Sequence, residues 1–394
     1  DARPEGIAGK RADAVDEHLG ATAVPSLPEE APKLLDAALC VPSQLYGLTE
    51  TASVYSVPDS GGAATRMGGW YSLYTAWNPS AEGLNQGANI PTKIGANGLA
   101  AGMDGTLYAY ARFYQYDSGY PSTMWNVSIR MMVKEPGDDA AWRWLDPASY
   151  KPATYLYSYE SNAVPVAGAI DPVTGRYVWG GFRAGYFLVH EIDLASGKRS
   201  VAGRIRVGMG TAADLNGDIA FDGAGNLYVL SHRAADGTLT ITTVTAADLA
   251  AGRQTNAAYT AYDSWPSEVS GSVAKATGTA QYGDQVNGMA VGGGGKLYIG
   301  TKTSVYQINP LTAQVIGAPV TTNPYSGAGS DLAACAQNPP TTLTVQKDLR
   351  GSAVGREFTL RVASGGAEIP SVVAKTPVPE TSVLLEKAGP MMVT

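Results

Sequence analysis

The stretch NGDIAFDGAGNLYVL, residues 216–230, decides the fold because it contains two short apolar runs separated by a Gly-containing turn. Small and branched residues lead into the turn, and an aromatic run with Tyr228 follows it. Two such runs across a tight turn are typical of a β-hairpin. The same pattern, with Tyr at the same place, recurs in NGLAAGMDGTLYAY (97–110), AGAIDPVTGRYVWGG (167–181) and NGMAVGGGGKLYIG (287–300). The sequence therefore predicts a repeat built on hairpins.

A second element follows each hairpin, namely a strand-like run that ends in an Asp or Asn turn. It occurs at residues 144–147, 191–194, 245–252 and 308–310. Asp and Asn favour turns because their side chains hydrogen-bond to nearby main-chain groups. Two hairpins per repeat give four strands, which is one blade of a β-propeller.

The spacing of the repeats leaves the number of blades open. The hairpins begin at residues 97, 167, 216 and 287, which is about 50 to 70 residues apart, whereas compact blades have about 40–50 residues. The excess indicates either insertions within blades or degenerate blades between them, and residues 61–91 are one candidate for a hidden blade. We expect an all-β protein whose propeller has six blades, with five or seven as alternatives and a β-sandwich as the competing fold.

Two cysteines, Cys40 and Cys335, bracket the repeats. They lack the closely spaced ligand pairs of a metal site. A single pair in an exported chain predicts one disulfide, and the alternative is two buried thiols. The strand-like residues 45–48 and 53–57 resemble the third and fourth strands of the blade that Asn287 begins. We expect them to join that last blade, with the disulfide linking the two ends of the ring.

Composition excludes several classes of protein. The 394-residue chain is 44% hydrophobic with a formal net charge of −7, which is too apolar for a disordered chain. A sequence pI near 5.1 and singly scattered Lys and Arg residues argue against nucleic acid as a partner. No run of eighteen apolar residues occurs, so no transmembrane segment is predicted. We interpret Asp1 as an end left by processing, with a trimmed chain as the alternative.

Shifts in composition divide the chain into four parts. Residues 1–39 lack the repeat and are predicted to form an extended N-terminal arm, and residues 40–335 form the propeller. Residues 336–342 contain a Pro-Pro pair and predict a stiff linker. Residues 343–394 contain at most five short strands, which predicts a small, incomplete β-sandwich with an open edge. Open edges recruit strands from neighbouring molecules.

Several strings resemble a known family. LTVQKDLRG (343–351) and FTLRV (358–362) are similar to the opening strands of prealbumin-like, pilin-type domains of the CnaB/SpaA kind. GAIDPVTGRYVW (168–179) and VYQINPLTAQVIG (305–317) resemble the propeller that precedes such domains in bacterial surface proteins. The resemblance implies an extracellular, cell-surface or filament protein. It also implies that Lys347 matches the Lys that forms an isopeptide bond with an Asn. Because residues 339–394 contain no Asn, we expect Lys347 to be an ordinary strand residue.

One segment resembles a metal loop. Asp214, Asn216, Asp218 and Asp222 have the acidic spacing of a calcium loop, but the Gly at the sixth position and the Glu at the twelfth are missing. We expect a turn at Asn216-Gly217. Calcium is the alternative, and no other cofactor is predicted.

Two functions remain. The first is a non-enzymatic structural or adhesive subunit of a bacterial extracellular assembly, joined head to tail when the arm of one copy completes the sandwich of the next, and binding a glycan or another surface. The second is a stand-alone secreted lectin or hydrolase acting on a glycan or small ester. A hydrolase needs converging titratable residues. The three histidines, His18, His190 and His232, are far apart in sequence, so we favour the first function and predict no catalytic residue.

Overall fold

The fold is given by a computed structural model. It describes residues 40–41, 43–69, 92–116, 125–136, 142–145, 165–210, 215–259, 265–277, 285–322, 329–335, 341–346, 357–364, 367–375, 380–385 and 391–393. Within these residues, no helix is long and apolar enough to cross a membrane.

The repeats form a five-bladed β-propeller, in which each blade is built on four antiparallel strands with one strand at the axis. Blade one comprises β1 (Gln44–Thr49), β2 (Ser53–Pro58), β3 (Thr65–Gly69) and β21 (Gly329–Ala334). Blade two comprises β4 (Thr92–Ala101), β5 (Leu107–Tyr116), β6 (Trp125–Lys134) and β7 (Arg143–Trp144). Blade three comprises β8 (Ala167–Ile170), β9 (Tyr177–Arg183), β10 (Tyr186–Ile192) and β11 (Arg199–Arg206).

The other two blades follow the same plan. Blade four comprises β12 (Leu215–Phe221), β13 (Leu227–Arg233), β14 (Thr238–Val244) and β16 (Ser272–Ala276). Blade five comprises β17 (Val286–Val291), β18 (Leu297–Thr301), β19 (Ser304–Asn309) and β20 (Gln314–Thr322). The inner strands contact one another around the axis in the order β21, β4, β8, β12, β17 and back to β21.

Blade packing explains why the strands have apolar residues at successive positions. In blade three, Tyr177, Trp179 and Leu188 pack against blade two, while Val178 and Phe187 pack against blade four. Successive strand residues point to opposite faces, and both faces of a blade are covered by neighbours. A propeller strand is therefore apolar on both faces, which produces runs such as residues 177–179.

The favoured number of six blades was wrong. Where the structure describes the long repeat intervals, it shows an insertion within a blade. The interval after residue 216 holds α1 (Ala246–Thr255) and β15 (Glu268–Val269), which lie between β14 and β16. The described part of residues 61–91 contributes β3 to blade one, and residues 70–91 lie outside the described residues.

Helix α1 begins at an N-cap residue, Thr245. The Thr245 side chain accepts a hydrogen bond from the main-chain N–H of Asp248 at 3.1 Å and donates one to the Asp248 carboxylate at 2.6 Å. After the helix, β15 pairs in parallel with β11 and extends blade three by a fifth strand. The insertion of blade four therefore widens its neighbour.

Ring closure differs from the expected arrangement. β1 and β2 do not complete the blade that Asn287 begins, because that blade has its own four strands, β17 to β20. The strand that closes the ring is instead β21, which pairs with β1 from Leu45↔Ala334 to Leu48↔Asp331. Blade one therefore combines strands from the two ends of the propeller sequence.

The predicted disulfide between Cys40 and Cys335 is confirmed. The two Cα atoms are 5.8 Å apart, and both residues are buried in the core between blades one and two. Cys40 lies before β1, and Cys335 directly follows β21. The covalent link thus lies beside the hydrogen-bonded closure of the ring.

In the described residues after the propeller, five strands form two small sheets. They are β22 (Thr341–Gln346), β23 (Glu357–Ser364), β24 (Ala367–Lys375), β25 (Glu380–Leu385) and β26 (Met391–Val393). β22 pairs with β25, and β23 lies between β24 and β26. A prealbumin-like sandwich stays a prediction. Residues 1–39 and Lys347 lie outside the described residues.

Candidate functional site

The five inner strands meet in a narrow channel along the propeller axis. Each strand contributes one alanine at corresponding positions: Ala100, Ala169, Ala220, Ala290 and Ala333. Short side chains are needed there because five strands converge on the axis. The channel has a cavity volume of about 20 Å³ measured to the centre of a water molecule. That is room for one or two waters, whereas pockets that hold a drug-sized ligand are about 300–1,000 Å³.

Two carboxyl groups meet in this region, those of Asp218 on β12 and Asp331 on β21. They hydrogen-bond to each other and are 0% and 3% exposed. The residues are 113 positions apart in sequence (331 − 218), but β12 and β21 both flank β17 in the ring. The topology therefore brings together two acids from blades four and one.

Main-chain groups of neighbouring strands hold both carboxyl groups. The Oδ2 atom of Asp218 accepts the N–H of Met289 on β17 at 2.6 Å. The Oδ2 atom of Asp331 accepts the N–H of Leu99 on β4, also at 2.6 Å. Each Oδ1 atom accepts the N–H of the next residue in its own strand, Ile219 or Leu332, at 2.7 Å. Buried N–H groups need acceptors, and inner strands have no sheet neighbour on the axis side, so the two acids supply those acceptors.

Burial changes the protonation of the pair. Removal from water raises the pKa of Asp331 to about 7. Burial also raises the pKa of Asp218 well above its usual range, and the nearby Asp331 carboxyl raises it further. Two like charges this close to each other favour a shared proton. Asp218 and Asp331 therefore form a protonated pair that links inner strands, and we call this pair the clasp.

This clasp has the composition of an acid–base dyad but lacks room for a substrate. A pair of carboxyl groups that share one proton can serve as general acid and general base. Here each carboxylate oxygen accepts a main-chain N–H, and the channel beside them has space only for water. The chemistry that the arrangement supports is the fastening of β12 to β17 and of β21 to β4.

One glycine allows two inner strands to approach closely. A Cβ atom on Gly288 of β17 would lie 2.5 Å from the main-chain nitrogen of Leu332 on β21. Any larger residue would therefore force β17 away from β21, the strand that carries Asp331.

Asn216 and Asn287, which begin two of the hairpin repeats, also connect blades. The Asn216 side chain donates to Oδ1 of Asn287 at 2.5 Å, and Asn287 donates to the carbonyl of Gly329 at 3.1 Å. These bonds join β12, β17 and β21 in series. The expected turn at Asn216-Gly217 was wrong, because both residues lie within β12. The turn of this hairpin lies at Asp222, whose Oδ1 accepts the N–H groups of Ala224 and Asn226 at 3.0 Å.

The described residues considered for calcium make other contacts. Asp214 lies outside the described residues. Asn216 and Asp218 make the contacts between strands described above, and Asp222 lies beyond the end of β12. Its Oδ2 atom accepts the Tyr228 hydroxyl at 3.0 Å. Within the described part of the chain, no group of three or more His, Cys, Asp or Glu residues is placed to hold a metal ion.

The two described histidines lie in separate blades. His190 on β10 is buried and stacks on Trp179 with ring centroids 5.6 Å apart, and burial lowers its pKa to about 4. His232 lies on β13, where its Nδ1 atom accepts the N–H of Val286 at 3.4 Å. Burial lowers the pKa of His232 as well. Both imidazoles are therefore neutral core groups at pH 7.

Sequence reasoning missed Asp331 as a partner of Asp218. A signal was present, because residues 329–333 (GSDLA) match residues 216–220 (NGDIA) in spacing and in the acid. The match identifies β21 as one more inner strand, and it places the two acids at equivalent positions in their blades.

Comparisons with known proteins find only distant structural similarity. No protein-family model and no curated protein matches the chain. A chain in a crystal structure of a nidogen/laminin complex is similar at 10% identity, with 75% of this chain and 99% of that one covered and a TM-score of 0.36. Exo-β-1,3-galactanase from Phanerochaete chrysosporium with galactose has 12% identity, 88% coverage of both chains and a TM-score of 0.38. TolB from Acinetobacter baumannii has 10% identity, 74% and 66% coverage and a TM-score of 0.34. Likeness at this level carries no argument about activity.

Proposed function

We propose that the protein is a non-catalytic structural and adhesive subunit of an extracellular bacterial surface assembly. Two features of the propeller support this. The disulfide between Cys40 and Cys335 suits an oxidising compartment. The axial acids accept hydrogen bonds from main-chain donors beside a channel with room only for water. A catalytic site would require carboxyl groups that can reach a substrate.

The observation that carries the assembly part of the proposal is the pairing of the C-terminal strands. Among the described residues, β22 and β25 each pair along one edge only, from Thr341↔Leu385 to Gln346↔Glu380. A two-stranded sheet is marginally stable by itself. Its unpaired edges present rows of N–H and C=O groups to any extended segment. The proposed partner is the N-terminal arm, residues 1–39, of a second copy, which would generate a head-to-tail polymer.

The test compares the complete chain with a chain that lacks residues 1–36, which leaves the last three residues of the arm before Cys40. Sedimentation and negative-stain electron microscopy should show polymers of the complete chain that lengthen with protein concentration, and monomers of the shortened chain. A synthetic peptide of residues 1–36 should cap the polymers, because it occupies the same edge, and a scrambled peptide of equal composition should not. If the complete chain stays monomeric at all concentrations, the proposal is refuted. Polymers that persist without residues 1–36 would remove the role of the arm.

A second candidate function is a stand-alone secreted propeller that binds a glycan. One observation favours it, which is an exposed tryptophan, Trp265, with arginines close to its ring. Monodisperse monomers that bind a glycan would favour this candidate over a polymer subunit.

A further inference from the structure

We infer that a cluster of aromatic and arginine side chains on blade three binds an acidic polysaccharide, namely sugar rings that carry carboxylate groups. We call it the Trp265 cluster. Its members are Arg183, Tyr186, Arg204, Arg206, Trp265 and Glu268. The inference rests on the adhesive part of the proposed function and names the class of ligand.

Strand register explains why these residues meet. Tyr186 on β10 is paired with Arg183 on β9 and with Arg206 on β11. Arg204 lies two residues before Arg206 and therefore points to the same face of the sheet. The parallel pairing of Arg204 with Glu268 on β15 then brings the segment that carries Trp265 to this face.

The segment with Trp265 is held in place by hydrogen bonds. Arg204 donates from Nη1 to the carbonyl of Pro266 at 2.6 Å. The N–H of Ser267 donates to Oδ1 of Asn256 at the end of α1, at 2.8 Å. Trp265 is consequently fixed beside blade three while 37% of it stays exposed. An exposed aromatic side chain that is held rigidly loses little conformational entropy on binding.

The aromatic and guanidinium groups pack closely. The rings of Trp265 and Tyr186 meet edge to face with centroids 5.5 Å apart. The guanidinium carbons of Arg183 and Arg204 lie 5.0 and 4.8 Å from the centroid of the Trp265 ring. A guanidinium beside an aromatic ring keeps N–H groups available at its edge, where they can donate in pairs to a carboxylate.

Charge points to an anionic ligand. Arg206 pairs with Glu268 at 3.2 Å, and this leaves two further positive charges, on Arg183 and Arg204. Neither of these arginines forms an ion pair with a described residue. A positive cluster stands out on a chain of formal net charge −7. Its charge complements an acid, and the net charge of the whole chain disfavours nucleic acid.

A sugar acid fits this combination better than an acidic peptide. The C–H groups of a sugar ring pack against an exposed aromatic side chain, as apolar groups do. The carboxylate of the same sugar would accept from the guanidinium groups, and Glu268 would accept from a sugar hydroxyl. An acidic peptide would use the arginines and leave Trp265 unused.

The test measures binding of a tetramer of galacturonic acid to the complete protein by calorimetry. A tetramer of galactose serves as the neutral ligand, and tetraglutamate as the acidic peptide. We expect saturable binding of the galacturonic acid tetramer that weakens as salt is raised, with no binding of the other two ligands. Arg183→Gln and Trp265→Ala should each raise Kd about tenfold or more, because each removes a central contact.

The control variant is Arg143→Gln. Arg143 is also an exposed arginine, but it belongs to blade two and pairs with Glu135 at 2.6 Å. This variant should bind as the wild type does, and all three variants should keep the wild-type unfolding midpoint. Absence of binding, an equal loss in Arg143→Gln, or equal affinity for tetraglutamate would each overturn the inference. We expect Arg183→Gln to lose ligand binding and still form polymers. The two measurements therefore test this inference and the proposed function separately.

Discussion

At the scale of the residue, Asp331 makes the stability of the propeller depend on pH. The folded protein holds its proton with a pKa of about 7, against an ordinary value of 3.8. A carboxyl whose pKa is raised by folding stabilises the protein at low pH, and that contribution is lost as pH rises through the folded pKa. We therefore expect the free energy of unfolding to fall as pH rises from about pH 4 to pH 7, because the unfolded chain loses the Asp331 proton over that range while the folded protein still holds it.

The measurement is the difference between wild type and Asp331→Asn in urea unfolding at pH 5 and pH 8. A difference is needed because His190, whose pKa burial lowers to about 4, acts in the opposite direction below pH 6.5. The stability of the variant should fall less than that of wild type between these pH values. Asp193→Asn is the control, since hydrogen bonds from Ser196 lower the pKa of this exposed carboxyl. Equal pH dependence in wild type and Asp331→Asn would refute the assignment.

At the scale of the element, helix α1 is fastened to blade three by a partly buried ion network. Arg253 of α1 donates to Asp171 at 2.5 Å and to Glu191 at 2.7 Å, and both carboxylates are almost fully buried. Arg253→Met keeps the length of the side chain but leaves two buried carboxylates without this partner. Loss of one partner of a buried ion pair destabilises a protein by about 3–5 kcal/mol. We expect that decrease in the free energy of unfolding in urea.

The matched change in an exposed pair is Arg143→Met. Arg143 and Glu135 are both more than half exposed, and exposed pairs contribute about 0–1 kcal/mol. If Arg253→Met were no more damaging than Arg143→Met, the network would not be what holds the helix.

At the scale of the whole molecule, the link between Cys40 and Cys335 closes a loop with a sequence separation of 295. In the loop-entropy model, a link over so long a loop stabilises the folded state by about 6 kcal/mol, and measured values are often smaller. Reductant should therefore lower the urea midpoint of the wild type. The variant in which both cysteines are replaced by Ser should start from that lower midpoint, and reductant should not change it, because the chain has no other cysteine. An unchanged wild-type midpoint in reductant would contradict this.

The scale of the feature also decides what the sequence could predict. Hairpin templates are local, so residues 97–110 and 216–230 predicted the propeller repeat and its Tyr positions. The disulfide was predicted because the chain has only two cysteines. The number of blades could not be predicted, because an insertion such as α1 with β15 lengthens a repeat as much as a hidden strand would.

The candidate sites depend on contacts between distant parts of the chain. Asp331 meets Leu99 across 232 residues, and only the order of the inner strands around the axis brings them together. Trp265 lies outside the hairpin repeats, and its neighbours come from β9, β10 and β11. Nothing in its local sequence identifies it as part of a cluster.

The disulfide beside the pairing of β21 with β1 would have a mechanical consequence in the proposed polymer. The chain enters the propeller at Cys40 and leaves it at Cys335, and these residues are joined covalently with Cα atoms 5.8 Å apart. Tension applied to the segments before Cys40 and after Cys335 would pass through that one bond. The five blades would then lie outside the path of the force. Pulling on the proposed polymer would not unfold them until the disulfide is reduced.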